Sequence, residues 1–356
     1  MEKVSILYKK SKRSGAYFSM FPILISKQRK FFDFYTNIDK LMVNDNNQFI
    51  LLVDFFDNAI ASSEDHLIIN KLRKKYKRLC YFSTSDGPEI RQGELVNYFD
   101  VWFKKQLYKD KSEYLALNGV SLVHNYFGQR QNLDQKFHSD HSPIQNENLK
   151  KLKVAWNILI GPYPIKKWKL RIARYTVQYF GTPATRFISR LPEFSKIETK
   201  KKNFCQARFN ANGYDKTIGY QREIYLKKIK QFPKMFEYDF ISQKEYNLEM
   251  KTAALTLSPF GWGEICYRDA ESFINSSLLI KPDVSHLETW PNIYLNNKTY
   301  IPINWDGTDL VEKVNYYLKN QEQLYHIANC GNEKLTIAYQ ELEDRVSWFQ
   351  SQISGR

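Results

Sequence analysis

At 356 residues, with 43% hydrophobic and 26% charged side chains, the chain has material for two folded domains and is not of the disordered class. A formal charge of +15 points to an anionic partner: nucleic acid, an anionic lipid surface or a phosphorylated small molecule. The four cysteines, Cys80, Cys205, Cys266 and Cys330, lie far apart without a CxxC pair. That argues against a zinc ribbon or disulfide framework and for a reducing cytosol. The segment MEKVSILYKK lacks the apolar stretch of a signal peptide, and the longest apolar run, Phe49 to Phe56, is too short to span a bilayer.

In chain order, Val4 to Tyr8 and Phe49 to Phe56 (FILLVDFF) read as strands. His66 to Lys77 reads as a helix, with Leu67, Ile68, Leu72 and Tyr76 at helical spacing. Leu79 to Phe82 is a further strand, closed by the polar turn Ser83-Thr84-Ser85-Asp86-Gly87-Pro88, and Val101 to Phe103 is another. The stretch Gln129 to Lys150 is poor in apolar residues and reads as an interdomain linker or long loop. The second half repeats the alternation. Tyr175 to Phe180, Phe204 to Phe209, Ala253 to Leu257, Leu278 to Lys281 and Tyr300 to Ile303 are expected as strands. Tyr220 to Lys230, Glu264 to Asn275, Asp309 to Lys319 and the stretch from Glu333 onward are expected as helices. Strands alternating with helices predict parallel, doubly wound sheets.

The chemistry concentrates in Leu257 to Tyr294. A strand runs into Ser258-Pro259-Phe260-Gly261-Trp262-Gly263 and then into a helix, the place where open α/β sheets bind ligands. Amides and the helix dipole there favour a phosphate, and Gly261 and Gly263 let the backbone come close to a diphosphate. At about 100° per residue, Glu264, Arg268 and Glu271 share one face of the helix. Arg268 is expected to neutralise the diphosphate, and Glu271 to accept hydrogen bonds from ribose hydroxyls. Asp269 falls on the apolar side and needs a buried partner. Lys281 and His286, in the loop after the next strand, are candidate donor contacts.

The pattern PFG-x-GE-x-C-x-RD-x-E, followed by LLIKPD-x-SHLET and TYIPINWD, resembles GT-B glycosyltransferases. The resemblance is to bacterial surface-polysaccharide and lipopolysaccharide enzymes distantly similar to exostosin-like enzymes. The run YFSTSDGPEIRQGELVNYFDVWFKKQL is similar to the same group, where a carboxylate-bearing loop precedes a short strand ending in Lys-Lys-Gln. The resemblance implies two Rossmann-like domains facing across a cleft: an acceptor domain over 1–150, a nucleotide-sugar donor domain over 151–330, and a C-terminal helix over 331–356 that packs back on the first. It implies transfer of a sugar from a nucleotide-sugar donor to a glycan or glycolipid acceptor, in the cytoplasm, with an anionic inner membrane surface as a partner. Arg208 and Arg222 are in positions from which basic residues of this fold reach the phosphates. Asp86, then Asp54 and Asp57, are the candidates for a general base in the first domain. The spacing Glu264 to Glu271 is one residue shorter than the paired-glutamate motif of many retaining enzymes, so no stereochemistry is assigned.

No two aspartates are separated by a single residue, so the DxD signature of metal-dependent transferases is absent, and no cofactor or metal is expected. His138-Ser139-Asp140-His141 is the nearest approach to a metal motif. Two other readings compete. A nucleic-acid-binding protein would carry a concentrated basic stripe or a binding motif, and none is visible, so no nucleic-acid partner is expected. A non-catalytic sugar-binding relative would tolerate replacement of Arg268 and Glu271.

Overall fold

The computed structural model describes residues 2–10, 14–56, 62–115, 121–131, 142–164, 167–194 and 201–356. Asp57 and the His138 to His141 run lie outside these residues. Among the described residues no helix is long and apolar enough to cross a membrane.

The first half is a six-stranded, wholly parallel sheet in the order β2-β1-β3-β4-β5-β7. The strands are β1 (Val4–Tyr8), β2 (Phe32–Tyr35), β3 (Phe49–Val53), β4 (Arg78–Ser83), β5 (Val101–Lys104) and β7 (Leu152–Val154); β6 (Gln106–Tyr108) stands apart. Every residue of β1, β3 and β5 is buried, as parallel strands covered on both faces require. The helices are α1 (Ser14–Ile25), α2 (Ile38–Asn44), α3 (Ser63–Lys75) and α4 (Leu122–Arg130). A capping box, with Ser62 and Asp65 each bonding the other's backbone N–H, sets the start of α3. Leu67 is 63% exposed, while Ile69 and Leu72 face the core, so the helix is turned from the expected face.

The second half is a five-stranded parallel sheet in the order β13-β11-β10-β8-β9. Its strands are β8 (Lys202–Gln206), β9 (Phe236–Glu237), β10 (Ala253–Leu257), β11 (Leu278–Pro282) and β13 (Ile301–Ile303). The helices of this half of the chain are α5 (Lys167–Phe180), α6 (Lys216–Ile229), α7 (Gln243–Thr252), α8 (Tyr267–Ile274), α9 (Leu310–Lys319), α10 (Gln321–Gln340) and α11 (Leu342–Ser354). Tyr175 to Phe180, expected as a strand, is the last part of α5. The alternation of Tyr175, Val177 and Tyr179 imitates period two, but Ala173 and Val177 are buried four residues apart, which is helical spacing.

The chain winds from β8 outward to β9 and then back across to β10. The strand order therefore reverses between β8 and β10, and their carboxyl ends leave a crevice there. Two links hold the halves in register. β12 (Leu287–Thr289) pairs antiparallel with β6, so a two-stranded ribbon joins them. α11 packs on β1, β3 and β4, with Phe349 against Phe82, Phe103 and Trp156. One apolar core runs through both: Phe260, Ala270, Phe273 and Leu279 belong to the same buried cluster as β1, β3 and β4. Two Rossmann-like halves facing across a cleft make up the GT-B arrangement.

Phe349→Ala removes the ring that seats α11 on the first sheet. We expect a loss of about 3–5 kcal/mol in urea unfolding.

Candidate functional site

The crevice at the β8–β10 reversal is a cleft of about 500 Å³. Arg208, Phe209 and Asn210 line it from the end of β8, and Tyr238 to Ile241 from the end of β9. Gly261 to Gly263 and Ile265 to Arg268 line it from beyond β10, and Asp86 from the first half.

The turn after β10 is set by Asp269. This carboxylate is fully buried and accepts bonds from Ser258 Oγ, from the Cys266 backbone N–H (3.2 Å) and from the Tyr294 hydroxyl (2.8 Å). Its charge is balanced by Lys281, whose Nζ stands 3.0 Å away, also fully buried. Asp269 thus caps the start of α8 and ties it to β10 and β11. This corrects the reading of Lys281 as a donor contact: the ammonium is Asp269's buried partner and does not reach the cleft.

The capping also begins α8 at Tyr267, so Glu264 lies in the turn and departs from the expected patch with Arg268 and Glu271. Its carboxylate is buried on the other side of the loop, with neither oxygen hydrogen-bonded among the described residues, and Oε1 is 3.7 Å from His286 Nε2. His286, between Tyr108 and Trp305, sits behind that carboxylate on the ribbon side rather than in the cleft. Glu89 lies in the same region; burial, then the nearby charge of Glu264, raise its carboxyl above the ordinary range.

Gly263 marks the closest approach of the halves: a Cβ there would stand 2.0 Å from the Asp86 carbonyl oxygen. The Lys-Lys-Gln run after β4's loop explains how that loop is held. Lys104 donates to Ser85 and to the Glu89 carbonyl, Lys105 pairs with the Asp86 carboxylate at 2.6 Å, and Gln106 donates to the Asp86 carbonyl. Burial alone would raise Asp86; Lys105 and then Lys104 reverse this and hold it below the usual carboxylate range. Asp86 faces the cleft as a lasting anion and a weak proton acceptor. Asp54 is instead consumed by Thr84, bonding its N–H and hydroxyl.

The three arginines have different surroundings. Arg208 borders the cleft, and its guanidinium donates to Glu249 (3.0 and 2.6 Å), Glu237 and the Asp239 carbonyl, so its charge is already balanced within the protein. Arg222 is buried and, among the described residues, donates to the Phe260 and Asn210 carbonyls, with the centre of the Tyr214 ring 4.1 Å from its Cζ. Arg268 donates to the Arg208 carbonyl at 2.7 Å, and its Nε–H has no hydrogen-bond partner among the described residues. Among the described residues neither Arg222 nor Arg268 has a carboxylate in ion-pair contact. Burial lowers the Arg222 guanidinium, and neighbouring Arg268 lowers it further.

Glu271 accepts from the Tyr246 hydroxyl at 2.7 Å. Burial pushes its carboxyl up to about 7, against the opposing pull of Tyr246 and Arg268. Tyr246, on α7, and the Tyr214–Trp262 ring pair at the rim were not singled out from the sequence; only the tertiary fold brings them to the cleft. No three metal-ligating side chains converge among the described residues.

No family model and no curated protein matches the chain. Among solved structures it is similar to HepE of Anabaena in complex with UDP, with a TM-score of 0.48 and 10% identity over 98% of this chain and 99% of that one. A glycosyltransferase from Rickettsia africae ESF-5 gives a TM-score of 0.44 and 14% identity over 99% of both chains. A putative UDP-N-acetylglucosamine 2-epimerase from Listeria monocytogenes gives 0.44 and 8% over 97% of both.

Two outcomes test this arrangement. Lys281→Met leaves Asp269 an uncompensated buried charge and should cost about 3–5 kcal/mol in urea unfolding. Glu271 holds its proton to about pH 7 when folded but releases it near the ordinary glutamate value when unfolded. Its contribution to stability is therefore complete at low pH and falls as pH rises toward about 7. Urea midpoints measured from pH 4 to 8 should show wild type losing on the order of 3 kcal/mol relative to Glu271→Gln across that interval.

Proposed function

We propose that the chain transfers a glycosyl group from a nucleotide-sugar donor to a glycan or glycolipid acceptor, in the synthesis of a cell-surface polysaccharide or lipopolysaccharide. The observation that carries this reading is the pair Arg222 and Arg268, two guanidiniums with no carboxylate in ion-pair contact among the described residues, at a glycine turn in the switch-point crevice. A buried cation is costly unless an anion balances it, and a diphosphate supplies the balance. As the sugar–phosphate bond breaks, negative charge grows on the departing nucleoside diphosphate. Guanidiniums already in place stabilise it without a metal ion. Gly261 leaves room for this: a Cβ there would lie 3.8 Å from an Arg222 Nη atom.

Glu271, once ionised, accepts from ribose hydroxyls, with Tyr246 fixing its orientation. Asp86 faces the sugar end from the first half. As an ion-paired anion it suits holding an acceptor hydroxyl better than taking its proton. The acceptor class and the cytoplasmic setting follow from the sequence resemblance, carried by the Ser258 to Asp306 motifs.

Arg268→Ala tests the reading. Among the described residues the guanidinium has no ion pair, and its hydrogen bond to the backbone goes to the Arg208 carbonyl, so the fold should survive. Loss of a charge-assisted contact should weaken binding of UDP or another nucleoside diphosphate roughly 10- to 100-fold in a thermal-shift titration and abolish transfer. Undiminished protection and near wild-type transfer would refute the assignment.

A further inference from the structure

α5 is apolar on two opposite sides. Ala173 and Val177 are buried inward, with Ala173 in one cluster with Phe18. On the other side Trp168, Ile172, Tyr175 and Tyr179 lie between 43% and 63% exposed. Their spacings of four, three and four residues place them within about 60° of one another on the helix, opposite the buried side. Phe180 at the end of the helix, and Phe187 and Leu191 beyond it, are exposed as well (78%, 85% and 56%). A soluble surface scatters such residues; it rarely gathers them in one stripe.

The charge around this stripe is of one sign. Lys169 and Arg171 flank it, one on each side, and Arg174, Arg186 and Arg190 follow; no acidic residue occurs from Lys167 to Pro192. Cations lie over the apolar rings: Lys169 over Trp168, Arg171 over Tyr175 and Arg186 over Phe187. Tryptophan and tyrosine with a basic rim is the chemistry of a bilayer's headgroup boundary, where rings enter the interface and ammonium or guanidinium groups pair with lipid phosphates. A second copy of the chain set face to face would bring these cations against their own kind.

We propose that the outer side of α5 docks on an anionic bilayer. The stripe enters the headgroup layer, and the flanking cations hold lipid phosphates. This assignment stands apart from the transferase reading, since none of the stripe residues lines the cleft.

Flotation with vesicles tests it, using phosphatidylcholine alone and phosphatidylcholine mixed with phosphatidylglycerol. The chain should float with the mixed vesicles, stay behind with phosphatidylcholine alone, and be released by high salt. The triple change Ile172→Ser, Tyr175→Ser and Tyr179→Ser should reduce the vesicle-bound fraction at least about tenfold at an unchanged unfolding temperature. The change of Lys169, Arg171 and Arg174 to Gln should do the same, which keeps the test decisive should the first variant fold poorly. Failure of the wild type to float, or equal binding by the folded stripe variant, would overturn the proposal. So would a lipid-free dimer in sedimentation velocity that the stripe variant abolishes, because the occupant would then be a second copy.

Discussion

The buried ion pair between Asp269 and Lys281 is the constraint on which the site depends. A carboxylate without water must satisfy every lone pair, and here it does so by drawing together four segments: Ser258 after β10, the start of α8, β11 and Tyr294. That convergence fixes where α8 begins. It thereby decides that Arg268 and Glu271 face the crevice while Glu264 turns the other way. A neutral pair of the same size would fill the space without specifying the same turn.

Around this anchor the cleft sorts its charges by partner. Arg208 is ion-paired with two carboxylates, whereas Arg222 and Arg268 donate to backbone carbonyls and have no carboxylate in ion-pair contact among the described residues. Asp86 is tied by Lys105, which leaves its charge in place and its basicity low. The same residue types therefore take different parts according to what already neutralises them. Glu271 also borders a second cavity of about 500 Å³, whose wall includes Lys169 and Leu170 of α5. The switch-point cleft and the cavity at the base of α5 thus share Glu271 as a lining residue.

Much of this was legible in the sequence because it rests on local pattern. β10 and its glycine turn follow from a continuous apolar run closed by Ser-Pro-Phe-Gly, and both sheets follow from the alternation of strand and helix. Asp269 on an apolar face announced a buried partner, but spacing could not name it as Lys281, since that pairing crosses from helix to strand. The wheel that grouped Glu264 with Arg268 failed because the helix starts at Tyr267, three residues later than periodicity alone suggests. Tyr246 and Tyr214 were invisible for the same reason as Lys281: their place depends on how distant segments meet. At Tyr175 to Phe180 period two and period 3.6 coincide over a few residues, and only the longer span from Trp168 separates them.

The seating of α11 on β1, β3 and β4 bears on the order of events during synthesis. A face of the first sheet is closed by residues 342–354, with Arg78 bonding the Ile353 carbonyl and Gln350 the Glu2 carbonyl. The strands of that sheet are all made by residue 154. At about 5–20 residues per second the ribosome takes roughly 10–40 seconds more to deliver the helix that covers them. During this interval Phe82, Phe103 and Trp156 lack their final apolar partner, so the nascent first half is a natural client for a chaperone that shields exposed aromatic surface.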